Sequence, residues 1–499
     1  MSANKLPNEL LRECFAHIEY QNKHWKNDIK SFRLVSKRFY AEASPFLIAK
    51  ATVSFNKESL QNLETLATHP IFSKYITQVN IDVTYYDKLL AQGRHALHRF
   101  AEDNATRLYQ NLEMMDRGMG RGRDRDSANA RAVRDAFRIV TKWEAISGLD
   151  YPADGSSPNS EQKVLIEAWH EYVKLFDEQE EVVNNGEGAR KVVSYLEKFT
   201  GLRRVVVEDY TRHWGTYSNF RQARDYPMLF TDAGLRERCL QPSPWKGTFR
   251  TALDTELPVH LLSSLFTSLS QTNIRLKEFE IKVTAPANMS NINFTSNQLE
   301  AVKTTVSKSE KLFLRIANWA RKSSLAENND RPASELAGLC ALTSAFFSSP
   351  KLTEMELSLD DYPVFGEIPK ISASDLLTLP LPSPKVEKIY LRNVPFTTTS
   401  LQTLVSSLPK LKRLNFNAPF LLDGKWVHAL DILHQLAANK TLVHVELHGP
   451  QGAEFGNWLS WVKNGVEQRE IERWIMGERE GEGNPLAGWV PEYGQGHGL

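Results

Sequence analysis

The sequence predicts an α/β chain: a small helical module at the N-terminus, then an irregular series of strand–helix units interrupted by a charged helical insertion. Three observations carry this expectation. Two amphipathic stripes fill the first fifty residues. A short pattern, apolar-x-x-apolar-x-apolar, recurs along the chain. A segment of helical periodicity precedes most copies of it.

The chain has 499 residues, enough for several domains or one extended array, and 41% of them are hydrophobic. Lys plus Arg is 61 and Asp plus Glu is 60, a formal net charge of +1. Such a balance gives no general attraction to nucleic acid or to an anionic membrane. Asn8, Glu9, Arg12 and Glu13 interrupt the apolar residues of the N-terminus, so no secretory signal is expected. No run approaches the ~18 apolar residues of a membrane helix. Cys14, Cys239 and Cys340 are far apart, without metal-ligand or disulfide spacing. They read as reduced thiols of a cytoplasmic or nuclear protein.

Leu6-Pro7-Asn8-Glu9-Leu10-Leu11 opens the first helix. Pro7 suits a first turn, and Glu9 puts negative charge at the positive end of the helix dipole. Leu10, Leu11, Cys14, Phe15 and Ile18 follow on one broad face. The polar stretch 21–27 breaks this helix, and Asp28 is a candidate cap for the next. Ile29, Phe32, Val35, Phe39 and Ala43 form a second stripe, expected to stop at Ser44-Pro45.

Amphipathic helices of this kind commonly just pack on a larger body. Residue order points further. Leu6-Pro7-x-Glu9-Leu10-Leu11, followed by Phe32-Arg33-Leu34-Val35-Ser36-Lys37-Arg38-Phe39, resembles the F-box, with Phe32 where the family usually has Leu. The resemblance spans residues 5 to about 47. About forty residues bury too little surface to stand alone. The resemblance implies that a partner completes the module, namely the Skp adaptor of a cullin–RING ubiquitin ligase. Leu6, Pro7, Leu10, Leu11, Phe15, Val35 and Phe39 are then the expected adaptor contacts or their support. The succession that follows is similar to the layout of fungal F-box proteins: a strand at 51–55, a helix at 60–68, His69-Pro70, a strand at 77–83 and Tyr85-Tyr86.

The recurring pattern falls at Ile76-Val79-Ile81, Leu202-Val205-Val207, Leu276-Phe279-Ile281, Leu352-Met355-Leu357, Val386-Ile389-Leu391, Leu411-Leu414-Phe416 and Leu442-Val445-Leu447. Each copy gives a short strand. Helices are expected at 257–269, 335–347, 400–408 and 427–437. Strand, loop, helix and strand at this scale resemble an irregular leucine-rich-repeat solenoid. An ordinary α/β domain with parallel strands reads the same way in sequence. The expected organisation is an F-box at 1–50, a strand–helix–strand unit at 51–87, a charged helical insertion at 88–200, the repeat-like region at 201–465, and a terminal helix with a tail at 466–499. Inside the insertion, helices are expected at 97–115, 128–146, 161–183 and 191–199. An Arg-Gly loop lies at 117–126 and a linker at 150–159.

No Walker loop, H-E-x-x-H pair or G-x-S-x-G elbow is present. Zinc at His444 and His448 is conceivable, but a solvated strand face explains them more simply. The expected role is therefore non-catalytic, with no cofactor and no metal: the F-box docks the adaptor, and the repeat region holds an unknown protein client. The rival expectation is a protein-binding scaffold unconnected to ubiquitin. Strand residues between the buried positions should line one open face. Glu278, Glu280, Glu354 and Glu356 make an acidic middle, and Lys388, Tyr390, Arg392 and Arg413 a basic neighbour, as candidate client contacts.

Overall fold

The computed structural model describes residues 6–21, 25–93, 96–97, 99–101, 141, 160–209, 232–245, 259–286, 288–317, 331, 333–360, 369–438, 442–453, 468–478 and 483–487. The expected segments 102–140 and 142–159 lie outside these residues.

The N-terminal module has three helices, α1 (Asn8–Gln21), α2 (Trp25–Arg33) and α3 (Lys37–Leu47). The single stripe expected from Ile29 to Ala43 is broken at Leu34–Ser36. Ser36 is extended there, and its hydroxyl accepts the Phe39 N–H at 3.2 Å, so it caps α3. The expected stop at Ser44-Pro45 is also corrected, because Pro45 lies inside α3. So near the helix end it removes a single ladder bond, and the next two residues, Phe46 and Leu47, are held against the module core. That core is Leu11, Phe15, Ile29, Phe39 and Ala43. The Phe15 ring is 5.4 Å from Phe32 and 5.9 Å from Phe39, centroid to centroid. Arg33 ties the module to the body: its guanidinium lies 4.5 Å over Tyr40 and 5.8 Å over Phe72.

From residue 50 strands and helices alternate. The first units are β1 (Lys50–Ser54), α4 (Lys57–Thr68), α5 (Phe72–Tyr75), β2 (Gln78–Asp82), α6 (Lys88–Gln92), α7 (Ser160–Val183), α8 (Glu187–Leu196) and β3 (Arg204–Glu208). The middle holds α9 (Asp232–Cys239), α10 (Val259–Ser270), β4 (Glu278–Thr284), α11 (Ser296–Val306), β5 (Lys311–Ala317), α12 (Ala333–Phe346), β6 (Glu354–Leu359) and α13 (Ala373–Leu376). The last units are β7 (Lys388–Arg392), β8 (Pro395–Phe396), α14 (Thr398–Ser406), β9 (Arg413–Asn417), β10 (Phe420–Leu421), α15 (Trp426–Ala438), β11 (His444–His448), β12 (Gln451–Gly452) and α16 (Gln468–Ile475).

The fold is thus mixed α/β with a large parallel sheet. Nine strands pair in the order β1-β2-β3-β4-β5-β6-β7-β9-β11, so spatial order follows chain order. The two-residue strands β8, β10 and β12 form a second parallel ladder. A helix accompanies every crossover, as parallel pairing requires. α4, α8, α10, α11, α12, α13, α14, α15 and α16 pack neighbour against neighbour in that same order, making one layer. α8 therefore serves as the crossover helix between β2 and β3. α6 and α7 sit beside it, tied down where the Tyr172 hydroxyl accepts the Asp87 N–H at 2.7 Å and Gln179 Oε1 accepts the Tyr86 N–H at 2.7 Å.

The strand period of two sets the two faces of the sheet. Val79, Val205, Phe279, Leu312, Met355, Ile389, Leu414 and Val445 form one register row, and all are buried in the main core. The alternate rows carry mostly polar and charged residues.

β5 escapes the recurring pattern. Its first apolar position is taken by Ser309, which is fully buried and donates to the Leu276 carbonyl at 3.1 Å. Ser349 in turn donates to the Ser309 carbonyl at 2.8 Å, and Ser383 to the Leu352 carbonyl at 2.8 Å. Buried serine hydroxyls thus link the turns that lead into successive strands, a role an apolar residue cannot fill.

The last units repeat in backbone as well as in pattern. Asn393, Ala418 and Gly449 each follow a long strand and adopt positive φ, at 55°, 48° and 53°. At one end of the sheet α16 covers β11: Glu472 accepts the Leu447 N–H at 3.0 Å, and His434 stacks on Trp474 at 4.4 Å. This shields part of an otherwise open edge.

Candidate protein-binding surfaces

The module divides the sequence-predicted adaptor residues into two groups. Leu11, Phe15 and Phe39 are sealed in its core, and Leu6 packs half-buried against them. They support the module and form no part of its surface. Pro7 is exposed, as are Leu10 at 45% and Val35 at 59%. Sequence reasoning passed over Leu34, which is 87% exposed. Its signal was present: Leu34 and Val35 are consecutive apolar residues, and a helix carrying one stripe cannot bury both.

Hydrogen bonds join the starts of two of the module's helices. Arg38 donates to Asn8 Oδ1 at 2.8 Å and to the Leu6 carbonyl, joining the start of α1 to the start of α3. The α2–α3 turn that holds Leu34 and Val35 immediately precedes α3. Leu10, Leu34, Val35 and Tyr40 make up most of the large hydrophobic side chains that are exposed among the described residues. Four exposed apolar side chains therefore fall within a module of about forty residues.

The second surface is the face of the sheet that carries no helix among the described residues. Register places Arg204, Glu278, Lys311, Glu354, Lys388, Arg413 and His444 in one row across it. The adjacent row holds Val206, Glu280, Phe313, Glu356, Tyr390, Asn415 and Glu446. The third holds Glu208, Lys282, Arg315, Ser358, Arg392, Asn417 and His448. All eight predicted client residues therefore share this face.

Its charges are not distributed as expected. The acidic middle is neutralised by cations of β3 and β5. Glu280, only 5% exposed at its side chain, lies 2.5 Å from Arg204 and 2.7 Å from Arg315. Arg315 also forms a fork with Glu356, both bonds 2.6 Å long. Lys311 and Lys388 approach Glu354 at 3.2 and 3.4 Å. The hydrogen bonds to Glu356 hold Arg315 still more firmly protonated. Burial pushes the Glu278 carboxyl up, against the pull of Arg204 and Lys311. The strand missed in sequence thus supplies the counter-charges, and four cations (Arg204, Lys282, Lys311, Arg315) meet five carboxylates (Glu208, Glu278, Glu280, Glu354, Glu356) across β3–β6.

Strands β7 and β9 differ. Their positions on this face are Lys388, Tyr390 and Arg392 beside Arg413, Asn415 and Asn417, with no carboxylate among them. At β11, Glu446 lies between two histidines, 2.8 Å from His444 and 3.8 Å from His448. The hydrogen bond from His444 holds its carboxyl below the usual range. His448 Nδ1 meets Gln468 Nε2 at 2.7 Å. Among the described residues no group of three or more His, Cys, Asp or Glu could hold a metal ion, and no helix is long and apolar enough to cross a membrane.

One buried titratable group lies apart from both surfaces. Asp209, just past β3, accepts the Trp245 N–H at 2.7 Å, the Thr284 N–H at 2.9 Å and the Thr284 hydroxyl at 2.5 Å. Trp245 Nε1 donates to the Val83 carbonyl at 3.0 Å. Complete burial pushes Asp209 up to about 6 despite these donors. Its partners are backbone and hydroxyl groups that close the strand ends, so its role is architectural.

No family model matches this chain, and no curated protein matches it.

Proposed function

We propose that this chain is a non-catalytic, substrate-recruiting subunit of a cullin–RING ubiquitin ligase. Its three-helix module docks an adaptor of the Skp type, and its sheet holds a protein client. The observation that carries the reading is the exposed apolar set Leu10, Leu34 and Val35, on a module whose sequence resembles the F-box. A module this small keeps little apolar surface in reserve, and side chains left outside its own core are available to a partner. By this reading the sheet and its single helix layer form an irregular leucine-rich-repeat-like solenoid. Chain-ordered parallel strands and the recurring positive-φ residue after β7, β9 and β11 support it. The chain would act by position: it raises the effective concentration of client near the ligase's catalytic subunits.

The test is co-purification of the full chain with a Skp-type adaptor. Leu10→Glu with Val35→Glu should abolish the complex and leave thermal unfolding unchanged, because both side chains already meet water. Removal of residues 1–48 should abolish it as well. An intact chain that never binds the adaptor leaves the scaffold reading in its place.

A further inference from the structure

The open face of β7 and β9 carries cations and no carboxylate of its own. Across β3–β6 cations of β3 and β5 pair with Glu278, Glu280, Glu354 and Glu356 of neighbouring strands. Lys388 shares Glu354 with Lys311, at 3.4 and 3.2 Å, and Arg392 has Asp360 at 3.1 Å. Arg413 is exposed and makes no ion pair among the described residues. Between these cations lies Tyr390, a half-buried ring flanked in its row by Glu356 and Asn415. Tyrosine and arginine are the side chains most often found at the energetic centre of protein interfaces.

We infer that this patch binds a client through an extended acidic segment of the form acid-x-apolar-x-acid. The spacing follows from strand geometry. Lys388 and Arg392 are four residues apart on one strand, about 13 Å at roughly 3.3 Å per residue. Two carboxylates four residues apart in an extended peptide span the same length, and the apolar side chain midway falls over Tyr390. Arg413 lies one strand over from Lys388, about 4.8 Å away in backbone, and doubles the positive charge at that end. Asn415 and Asn417 put no carboxylate on the neighbouring strand, and Asn415 hydrogen-bonds Glu446 on the strand beyond it. The inference rests on the recruiting reading above only in calling the ligand a client; the patch exists whether or not the module docks an adaptor.

Fluorescence polarisation with the full chain tests it. The probe is a 12-residue labelled peptide containing Glu-Ser-Leu-Ser-Glu, and the control has the same composition rearranged as Ser-Glu-Leu-Glu-Ser. The probe should bind at least about fivefold tighter than the control, and its affinity should fall with salt. Arg413→Glu breaks no ion pair, so it should fold normally and weaken the probe about fivefold. Lys388→Glu, Arg392→Glu and Arg413→Glu together should abolish binding. Equal binding of probe and control overturns the inference. So does unchanged affinity in Arg413→Glu, or stronger binding of a single-stranded RNA oligonucleotide than of the probe. Adaptor co-purification is scored separately on the same variants. In the unsubstituted chain, adaptor retained with no preference for the probe removes only the patch, whereas probe binding without the adaptor removes only the ligase reading.

Discussion

Leu10 and Leu11 are neighbours of the same residue type, and the structure assigns them opposite work. Leu11 is 3% exposed inside the module core, while Leu10 is 45% exposed at its surface. Truncation of each to Ala should separate stability from binding. Leu11→Ala removes buried methyl groups and leaves a cavity, at a cost of about 2–4 kcal/mol. That is a large share of what a forty-residue module can hold, so amide exchange across α1–α3 should accelerate by about 30-fold or more. Leu10→Ala should change the same exchange rates little, since Ala is no worse a helix former and the site is wet. Its cost should appear in adaptor binding. Complete burial of a leucine is worth roughly 2 kcal/mol. Scaled by present exposure, docking would gain about 1 kcal/mol at Leu10, about 2 at Leu34 and about 1 at Val35. The sum of about 4 kcal/mol, roughly 10³ in Kd, is an upper bound, because association also costs freedom of motion. Titration calorimetry with a Skp-type adaptor reads the binding arm, and hydrogen exchange reads the stability arm. The reasoning is refuted if Leu10→Ala loosens α1 as much as Leu11→Ala does. It is equally refuted if Leu10→Ser, Leu34→Ser and Val35→Ser combined leave adaptor affinity within about twofold.

Three further outcomes follow from the packing. Arg315→Ala should cost about 1–3 kcal/mol, discounted for a half-exposed guanidinium, because Glu280 keeps Arg204 but Glu356 loses its fork. In a urea double-mutant cycle with Glu356→Ala, strictly additive costs would refute the pairing. Asp209 titrates at about 6 in the fold, above the ~3.9 of an unfolded aspartate. Its protonated form is the one the fold favours, so this contribution is whole below pH ~4 and is lost as pH rises through about 6. The stability difference between wild type and Asp209→Asn should fall by roughly 2 kcal/mol from pH 4 to pH 7; a flat difference curve refutes it. Ala418 holds φ at +48°, a conformation that costs an L side chain energy. Ala418→Gly should therefore raise stability by about 1 kcal/mol, and Gly449→Ala at the equivalent place should lower it by a similar amount. Open space surrounds Gly449, so backbone strain alone is read there by thermal unfolding.

The sequence by itself determined the strand positions wherever an apolar residue began the pattern, and it placed the crossover helices at 259–270, 333–346, 398–406 and 426–438 to within a few residues. Local chemistry suffices there, since a period of two or of 3.6 residues is a property of the chain alone. It also determined which strand side chains share the open face, because alternation fixes parity. It could not find β5, whose leading serine is satisfied by a carbonyl 33 residues earlier, a partner visible only once the strands are stacked. Nor could it separate Leu10 from Leu11 or divide one stripe into α2 and α3, since burial depends on which helix lies across from which. The neutralisation of the acidic middle by Arg204, Lys311 and Arg315 belongs to tertiary structure for the same reason: a charge's partners sit on neighbouring strands, tens of residues away in sequence and about 5 Å away in space.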